Sequence, residues 1–266
     1  MRTFGIIGCG NMGGAILRAV VKSNLFSASD IIASDKNPDL CGKIQKELGV
    51  SAAPDNLAAA RADCLLLAVK PQFFQDMAAE IRPALREGTL ILSIVAGYDL
   101  AMLRQTLGEN VHLIRIMPNT PAMVGEGVLA ACRGEAVTDA EWDFTMQLLS
   151  RMGMTAQVTE NLMDAVTGVS GSSPAFVFLF MEALADAGVR GGLPRATAYQ
   201  MAAQVLVGCG RLALETGMHP GQLKDMVTSP AGTTIEGVYA LEKGGFRAAV
   251  MDAVDAAIQK SKSFHK

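Results

Sequence analysis

Two short runs of this chain carry residue types whose spacing suits chemistry. The first is Gly8-Cys9-Gly10-Asn11-Met12-Gly13, a G-x-G-x-x-G that follows the apolar run Phe4–Ile7 and heads a helix-periodic stretch. In that setting each glycine has a task. Gly8 permits a tight turn, Gly10 lets the backbone approach a pyrophosphate, and Gly13 lets helix and strand pack closely, while the helix N-terminus offers N–H donors to phosphate. Strand, motif, helix and second strand follow in order within about thirty residues, the context that separates a dinucleotide cradle from a bare turn. The second run, Ser229-Pro230-Ala231-Gly232-Thr233-Thr234, sets three hydroxyls, a stiffening proline and a glycine just before a helical segment. Gly232 allows a close backbone approach to a ligand. Thr233 and Thr234 fall at a helix N-terminus, where free N–H groups attract a carboxylate. A plain N-cap by a threonine is compatible with the same pattern.

Further candidates close the strand-like runs. Ser34-Asp35-Lys36 ends the second of them. An acidic side chain there hydrogen-bonds adenosine ribose hydroxyls and disfavours a 2′-phosphate, whereas a serine beside a lysine is equipped to hold that phosphate. Asp35 is also placed to cap the next helix. Ala68-Val69-Lys70-Pro71 lies where an α/β sheet presents its ligands, and Pro71 equally suits the first turn of a helix. Ile94-Val95-Ala96-Gly97 closes the next run in the same way. Arg115–Pro121 then enters a proline-bracketed loop, in which Asn119 is placed either to bind a nicotinamide amide or to hold the turn.

These residues need elements to hold them. The apolar runs Phe4–Ile7, Ile31–Ala33, Cys64–Val69, Leu90–Ile94, His112–Met117 and Val128–Ala131 alternate with helical periodicity over 11–24, 38–48, 71–86, 99–107 and 139–151. This is the pattern of a parallel sheet covered on both faces. Past residue 160 the strand signals stop, and helical segments follow at 161–169, 173–189, 194–216, 219–227 and 233–262. The expected fold class is α/β, with a Rossmann-like dinucleotide-binding domain over 1–160 and an all-helical domain over 161–266. Between Ser172 and Gly217 the charged residues are Glu182, Asp186, Arg190, Arg195, Arg211 and Glu215. Two helices are therefore apolar on most faces, in a half too small to bury them. A second copy of the chain is the economical cover. Phe176–Met181, short and followed by Glu182 and Asp186, reads as a buried helix rather than a membrane span.

Composition narrows the classes further. Over 266 residues the chain is 50% hydrophobic and 18% charged, with a mean hydropathy of +0.28. That is apolar for a monomer and points to surface hidden in an oligomer. A net charge of -3 without charged blocks leaves no electrostatic footprint for nucleic acid. Five scattered cysteines without a C-x-x-C pair fit reduced thiols in the cytoplasm rather than disulfides or a zinc site, so no metal is expected. Met1–Gly8 runs straight into a strand, with no signal peptide. Alcohol oxidation needs a base. Yet His112 falls in a strand, His219 before Pro220 and His265 in the tail, and all three read as structural or solvated. The turn Gly168–Pro174 resembles that of the β-hydroxyacid dehydrogenases, but Val177 stands where their catalytic lysine would fall. A C=N bond suits the inventory better. A cyclic imine enters already protonated, and its reduction needs positioning, a polar contact at nitrogen and an anchor.

Taken together, Gly8–Gly13, Ala68–Pro71, Met117–Pro121, Gly171–Pro174, Gly192–Arg195, His219–Asp225 with Ser229–Thr234, and Gly244–Arg247 resemble pyrroline-5-carboxylate reductase. The resemblance runs from Phe4 to near the C-terminus. It implies reduction of 1-pyrroline-5-carboxylate to L-proline, the last step of proline synthesis, with NADPH as reductant. It also implies a Rossmann domain joined to a helical dimerisation domain, in a cytoplasmic homodimer or larger homo-oligomer such as a decamer. The active site is implied between the dinucleotide domain of one subunit and the helical domain of its mate, with no nucleic-acid or membrane partner. By position, Ser229, Gly232, Thr233 and Thr234 would hold the substrate carboxylate, with Thr234 nearest the ring nitrogen as the catalytic residue. Asn56, Ala68, Lys70, Pro71 and Ala96 would contact the cofactor, beside Gly8, Cys9, Gly10, Asn11, Met12, Gly13, Ser34, Asp35, Lys36, Val69 and Asn119. Two departures stand out. Asp35 replaces the Ser or Thr of many relatives, which opens the site to NADH. Met218 replaces a glutamate found in some of them, and any contact from that side chain is lost.

Overall fold

The computed structural model describes residues 3–265, apart from the His265 side chain. The readings made at Met1 and Arg2, and that of His265 as a solvated side chain, lie outside the described residues. Eight strands form one sheet in the order β3-β2-β1-β4-β5-β6-β7-β8. They are β1 (Phe4–Ile7), β2 (Ile31–Ser34), β3 (Ser51–Ala52), β4 (Cys64–Leu67), β5 (Leu90–Ser93), β6 (His112–Met117), β7 (Gly127–Arg133) and β8 (Gly153–Gln157). Every neighbouring pair is parallel except β6 and β7.

β1, β4 and β5 are buried at every position, as apolar strands covered on both faces must be. Alternate side chains serve opposite faces. Phe4, Ile6, Cys64, Leu66, Leu90 and Leu92 pack with Ile16, Leu17 and Leu148. Ile7, Leu65, Leu67 and Ile91 pack with Phe74, Ile81 and Leu103 on the other side. The covering helices are α1 (Asn11–Ser23), α2 (Pro38–Leu48), α3 (Asn56–Ala60), α4 (Phe74–Ile81), α5 (Leu100–Leu107) and α6 (Asp139–Leu149). Side-chain caps at Asn37, Asp55, Asp99 and Thr138 start four of them, each contributing about 1 kcal/mol.

The expected strands are present, and two more join them. β3 is a pair of exposed residues and β8 is half-exposed, so neither carries an apolar run. The expected helix 71–86 is three pieces: a 3₁₀ turn Pro71–Phe73, then α4, then a 3₁₀ turn Arg82–Ala84 holding Pro83. The expected helix 161–169 is a 3₁₀ turn Glu160–Leu162, α7 (Met163–Val166) and a π-helical stretch Thr167–Ser172.

The chain forms two compact units, a sheet-bearing one that runs to Gly171 and takes up the chain again from Ala257, and a second one between them. The second unit, Ser172–Ala256, carries α8 (Ser173–Arg190), α9 (Arg195–Thr216), α10 (Pro220–Met226), α11 (Thr233–Lys243) and most of α12 (Phe246–Lys262). The single helix expected over 233–262 breaks at Gly244-Gly245, where Gly245 takes φ +71°. Here the buried cluster is small: Ala185, Ala198 and Ala202 let α8 and α9 approach. Phe178 and Leu179, by contrast, are 57% and 65% exposed. This corrects the expectation for Phe176–Met181. The segment is helical, but its own chain does not bury it.

Candidate functional site

The registers Ile7↔Ser34, Ile7↔Leu67 and Leu67↔Ser93 bring the ends of β1, β2, β4 and β5 to one edge of the sheet. The candidates of the first unit gather along it. Gly8 takes φ +105°, and a Cβ there would lie 2.5 Å from the Ala68 carbonyl oxygen. A Cβ on Gly13 would lie 2.0 Å from the Gly8 oxygen, whereas one on Gly10 would meet nothing within 4 Å. The first and third glycines are thus demanded by the protein's own packing, and the second leaves open space. Gly10 is the N-cap of α1, which has no side-chain cap and no acidic residue in its first turn. Its leading N–H groups are free for an anion, so these residues fit a dinucleotide pyrophosphate.

At the end of β2 the Asp35 carboxylate accepts the Cys9 N–H (2.6 Å) and the Asn37 N–H (2.8 Å). Asp35 is not the cap of α2; Asn37 is, through its contact with the Asp39 N–H. The buried Ser34 hydroxyl donates to Asn56 Oδ1 (2.7 Å), and Asn56 Nδ2 donates to Glu80 (2.7 Å). The Lys36 ammonium lies 5.3 Å from the centre of the Phe73 ring. Cys9 turns its thiol inward toward the Ser34 carbonyl oxygen (3.6 Å). Burial, then the neighbouring Cys41 and Asp35, push that thiol well above the ordinary range. It stays protonated, so the residue faces the edge through its backbone. Glu80, Cys41 and Phe73 escaped the sequence reading. Glu80 and Cys41 belong to no motif and meet the edge only through the fold; Phe73, two residues past Pro71, was within reach of it.

Along the same edge, Lys70 is exposed and Pro71 opens its 3₁₀ turn, the structural role foreseen for it. Ala96 is exposed beside Gly97, which takes φ +78° and leaves only 2.9 Å between a would-be Cβ and that of Phe264. Asn119 is buried. Its Oδ1 accepts the Val128 N–H (2.9 Å) and its Nδ2 donates to the Ser170 carbonyl (3.1 Å), so the side chain holds the loop, as the turn alternative has it. The histidines are committed as well. His112 Nδ1 donates to Glu141 (2.8 Å), and His219 Nδ1 caps α10 by accepting the Gly221 N–H (3.1 Å).

In the second unit, Ser229–Thr234 links α10 to α11. Thr228 ends the approach by donating its hydroxyl to the Lys224 carbonyl (2.7 Å), and the Gly232 N–H closes a turn onto the Ser229 oxygen (3.1 Å). Ala231 lies in the left-handed region at φ +56°, unusual for a residue with a Cβ. A Cβ on Gly232 would lie 2.3 Å from Ser229 Oγ, so any larger residue there would have to turn that hydroxyl away. Gly232 is the N-cap of α11, without a side-chain cap. The threonine cap is therefore not formed. Ser229, Thr233 and Thr234 are exposed, and among the described residues no hydrogen bond engages their hydroxyls.

Residues 160–264 match the family model for pyrroline-5-carboxylate reductase dimerisation, and residues 3–97 match that for coenzyme F420-dependent NADP oxidoreductases. The chain is 42% identical to the pyrroline-5-carboxylate reductase of Methanosarcina acetivorans over 263 residues, covering 98% of this chain and 97% of the relative. It is 42% identical to the Escherichia coli enzyme of the same name, covering 100% of this chain and 99% of that one. Among solved structures, Plasmodium falciparum pyrroline carboxylate reductase with NADP bound superposes with a TM-score of 0.90 at 31% identity, over 100% of this chain and 98% of the other.

Proposed function

The chain belongs to the pyrroline-5-carboxylate reductase family, and we propose that it reduces 1-pyrroline-5-carboxylate to L-proline with NAD(P)H, the closing step of proline biosynthesis, binding the substrate at Ser229–Thr234. The bound reduced nicotinamide supplies hydride to the imine carbon. The chain supplies position. The first-turn N–H groups of α11, with the Ser229 and Thr233 hydroxyls, donate to the ring carboxylate. A helix terminus alone contributes about 0.3–1 kcal/mol to such an anion. The Thr234 hydroxyl oxygen accepts the N–H of the protonated imine and fixes the ring. As the C=N π electrons withdraw to nitrogen, that contact persists to the product amine, and solvent settles its remaining proton. No side-chain base is required.

The observation that carries this reading is the set of three unengaged hydroxyls around an uncapped helix start. Comparing 1-pyrroline-5-carboxylate with 1-pyrroline, which lacks the carboxylate, tests it. The expected loss in kcat/KM for the bare ring is at least tenfold, about 1.4 kcal/mol of transition-state stabilisation. Equal values would remove the anchor.

The matched dimerisation segment makes the chain a homo-oligomer subunit. In this proposal the apolar faces of α8 and α9 pack against a second copy, the dimer is the unit of any larger assembly such as a decamer, and the enzyme is cytoplasmic. By length and composition alone the stretch Glu160–Arg190 would also pass for a membrane span. Its lie within the dimerisation match favours a subunit over lipid as the cover.

A further inference from the structure

We infer that Asp35 makes this enzyme prefer NADH: its carboxylate closes the end of β2 as an acceptor for ribose hydroxyls and turns a 2′-phosphate away. The inference rests on the dinucleotide reading of the Gly8–Gly13 edge. Two backbone donors, the N–H groups of Cys9 and Asn37, hold the carboxylate at 2.6 and 2.8 Å, so it is tied to the glycine loop and to the start of α2 together. A carboxylate is acceptor-only, and its remaining lone pairs suit the two hydroxyls of an unphosphorylated ribose.

A 2′-phosphate needs the opposite: donors and positive charge, to offset about -1.5 to -2 charges of its own. The neighbouring donors are engaged. The Ser34 hydroxyl is given to Asn56, whose amide is in turn given to the Glu80 carboxylate. The Lys36 ammonium rests over the Phe73 ring. A serine–lysine phosphate clamp would require Ser34 to leave Asn56 and Lys36 to leave Phe73, with Asp35 still facing the phosphate.

The test is binding without substrate, read as quenching or enhancement of reduced-nicotinamide fluorescence, on the wild-type enzyme and on the Asp35→Asn and Asp35→Ser variants. The wild type is expected to bind NADH at least tenfold more tightly than NADPH, about 1.4 kcal/mol. Both variants are expected to bring the two dissociation constants to within about threefold, chiefly by tightening NADPH, since what they remove is one like charge. Equal or tighter NADPH binding by the wild type would overturn the inference, as would an unchanged ratio in both variants. Absence of binding by either nucleotide would instead overturn the dinucleotide reading beneath it, and imine turnover with both coenzymes keeps the two failures apart.

Discussion

Leu66 and Leu179 both lie in apolar runs, and they differ in what their own chain does with them. Leu66, on β4, is 0% exposed between two layers of side chains, whereas Leu179, on α8, is 65% exposed. The polar groups follow the same division. In the sheet-bearing unit the buried Arg115 guanidinium pairs with Glu160, which also accepts the Leu100 N–H. In the helical unit the hydroxyls of the Ser229–Thr234 loop find no partner among the described residues. One unit completes its core within a single chain. In the proposed function the other presents half of an interface and an anion site, which would tie its stability to protein concentration and ligand.

That contrast can be broken most forcefully at its two leucines. Leu66→Ala leaves a cavity in a closed core and is expected to cost about 3 kcal/mol of unfolding free energy in denaturant titrations, at any protein concentration. A loss that disappears on changing concentration would place that core in the interface as well. Leu179→Glu buries a charge only if a second subunit covers α8. It is expected to raise the dimer dissociation constant at least a hundredfold, about 2.7 kcal/mol, in sedimentation experiments, while NADH binding to the other unit is retained. An unaltered dissociation constant would show that α8 faces something else.

Thr234→Ala moves from assembly to chemistry. Turnover of 1-pyrroline-5-carboxylate is expected to fall at least tenfold, about 1.4 kcal/mol, with the nucleotide dissociation constant unchanged. Kinetics like those of the wild type would remove Thr234 from the ring nitrogen and leave the loop as an anchor alone.

Legibility in the sequence follows the same divide between local and distant causes. β1, β4 and β5 were readable because a strand covered on both faces must be apolar along its run, and Gly8–Gly13 because turn, approach and packing each demand a glycine at a set spacing. β3 and β8 were not, since edge strands with exposed residues carry no such run. The break at Gly244-Gly245 escaped because helical periodicity resumes beyond it. In the candidate site the hydroxyls of Ser229, Thr233 and Thr234 were visible, but not that Gly232 takes the cap and leaves them free. Nor could spacing show that Asp35 reaches back to Cys9, or that Asn56 links Ser34 to Glu80, because those bonds join residues that only the sheet brings together.

The smallest expected effect tests whether the sheet-bearing unit is held by bonds of its own. Glu141 accepts the Thr138 N–H and hydroxyl in the capping box of α6 and also binds His112 Nδ1. Because a carboxylate only accepts, that ring nitrogen carries the hydrogen. Burial works against the Glu141 charge, but the bonds from the Thr138 backbone, His112 and the Thr138 hydroxyl outweigh it and hold the carboxyl below its ordinary range. With the folded value beneath the unfolded one of about 4.3, the contribution is complete above about pH 4.3 and is lost as pH falls through the folded value. Glu141→Gln does not titrate. It is expected to cost about 1 kcal/mol or less near neutrality, the scale of a helix cap, and the gap to wild type should close in acid. Since the network lies in one chain, the gap should be the same in dilute and concentrated protein; a gap that changes with concentration would move Glu141 into the assembly.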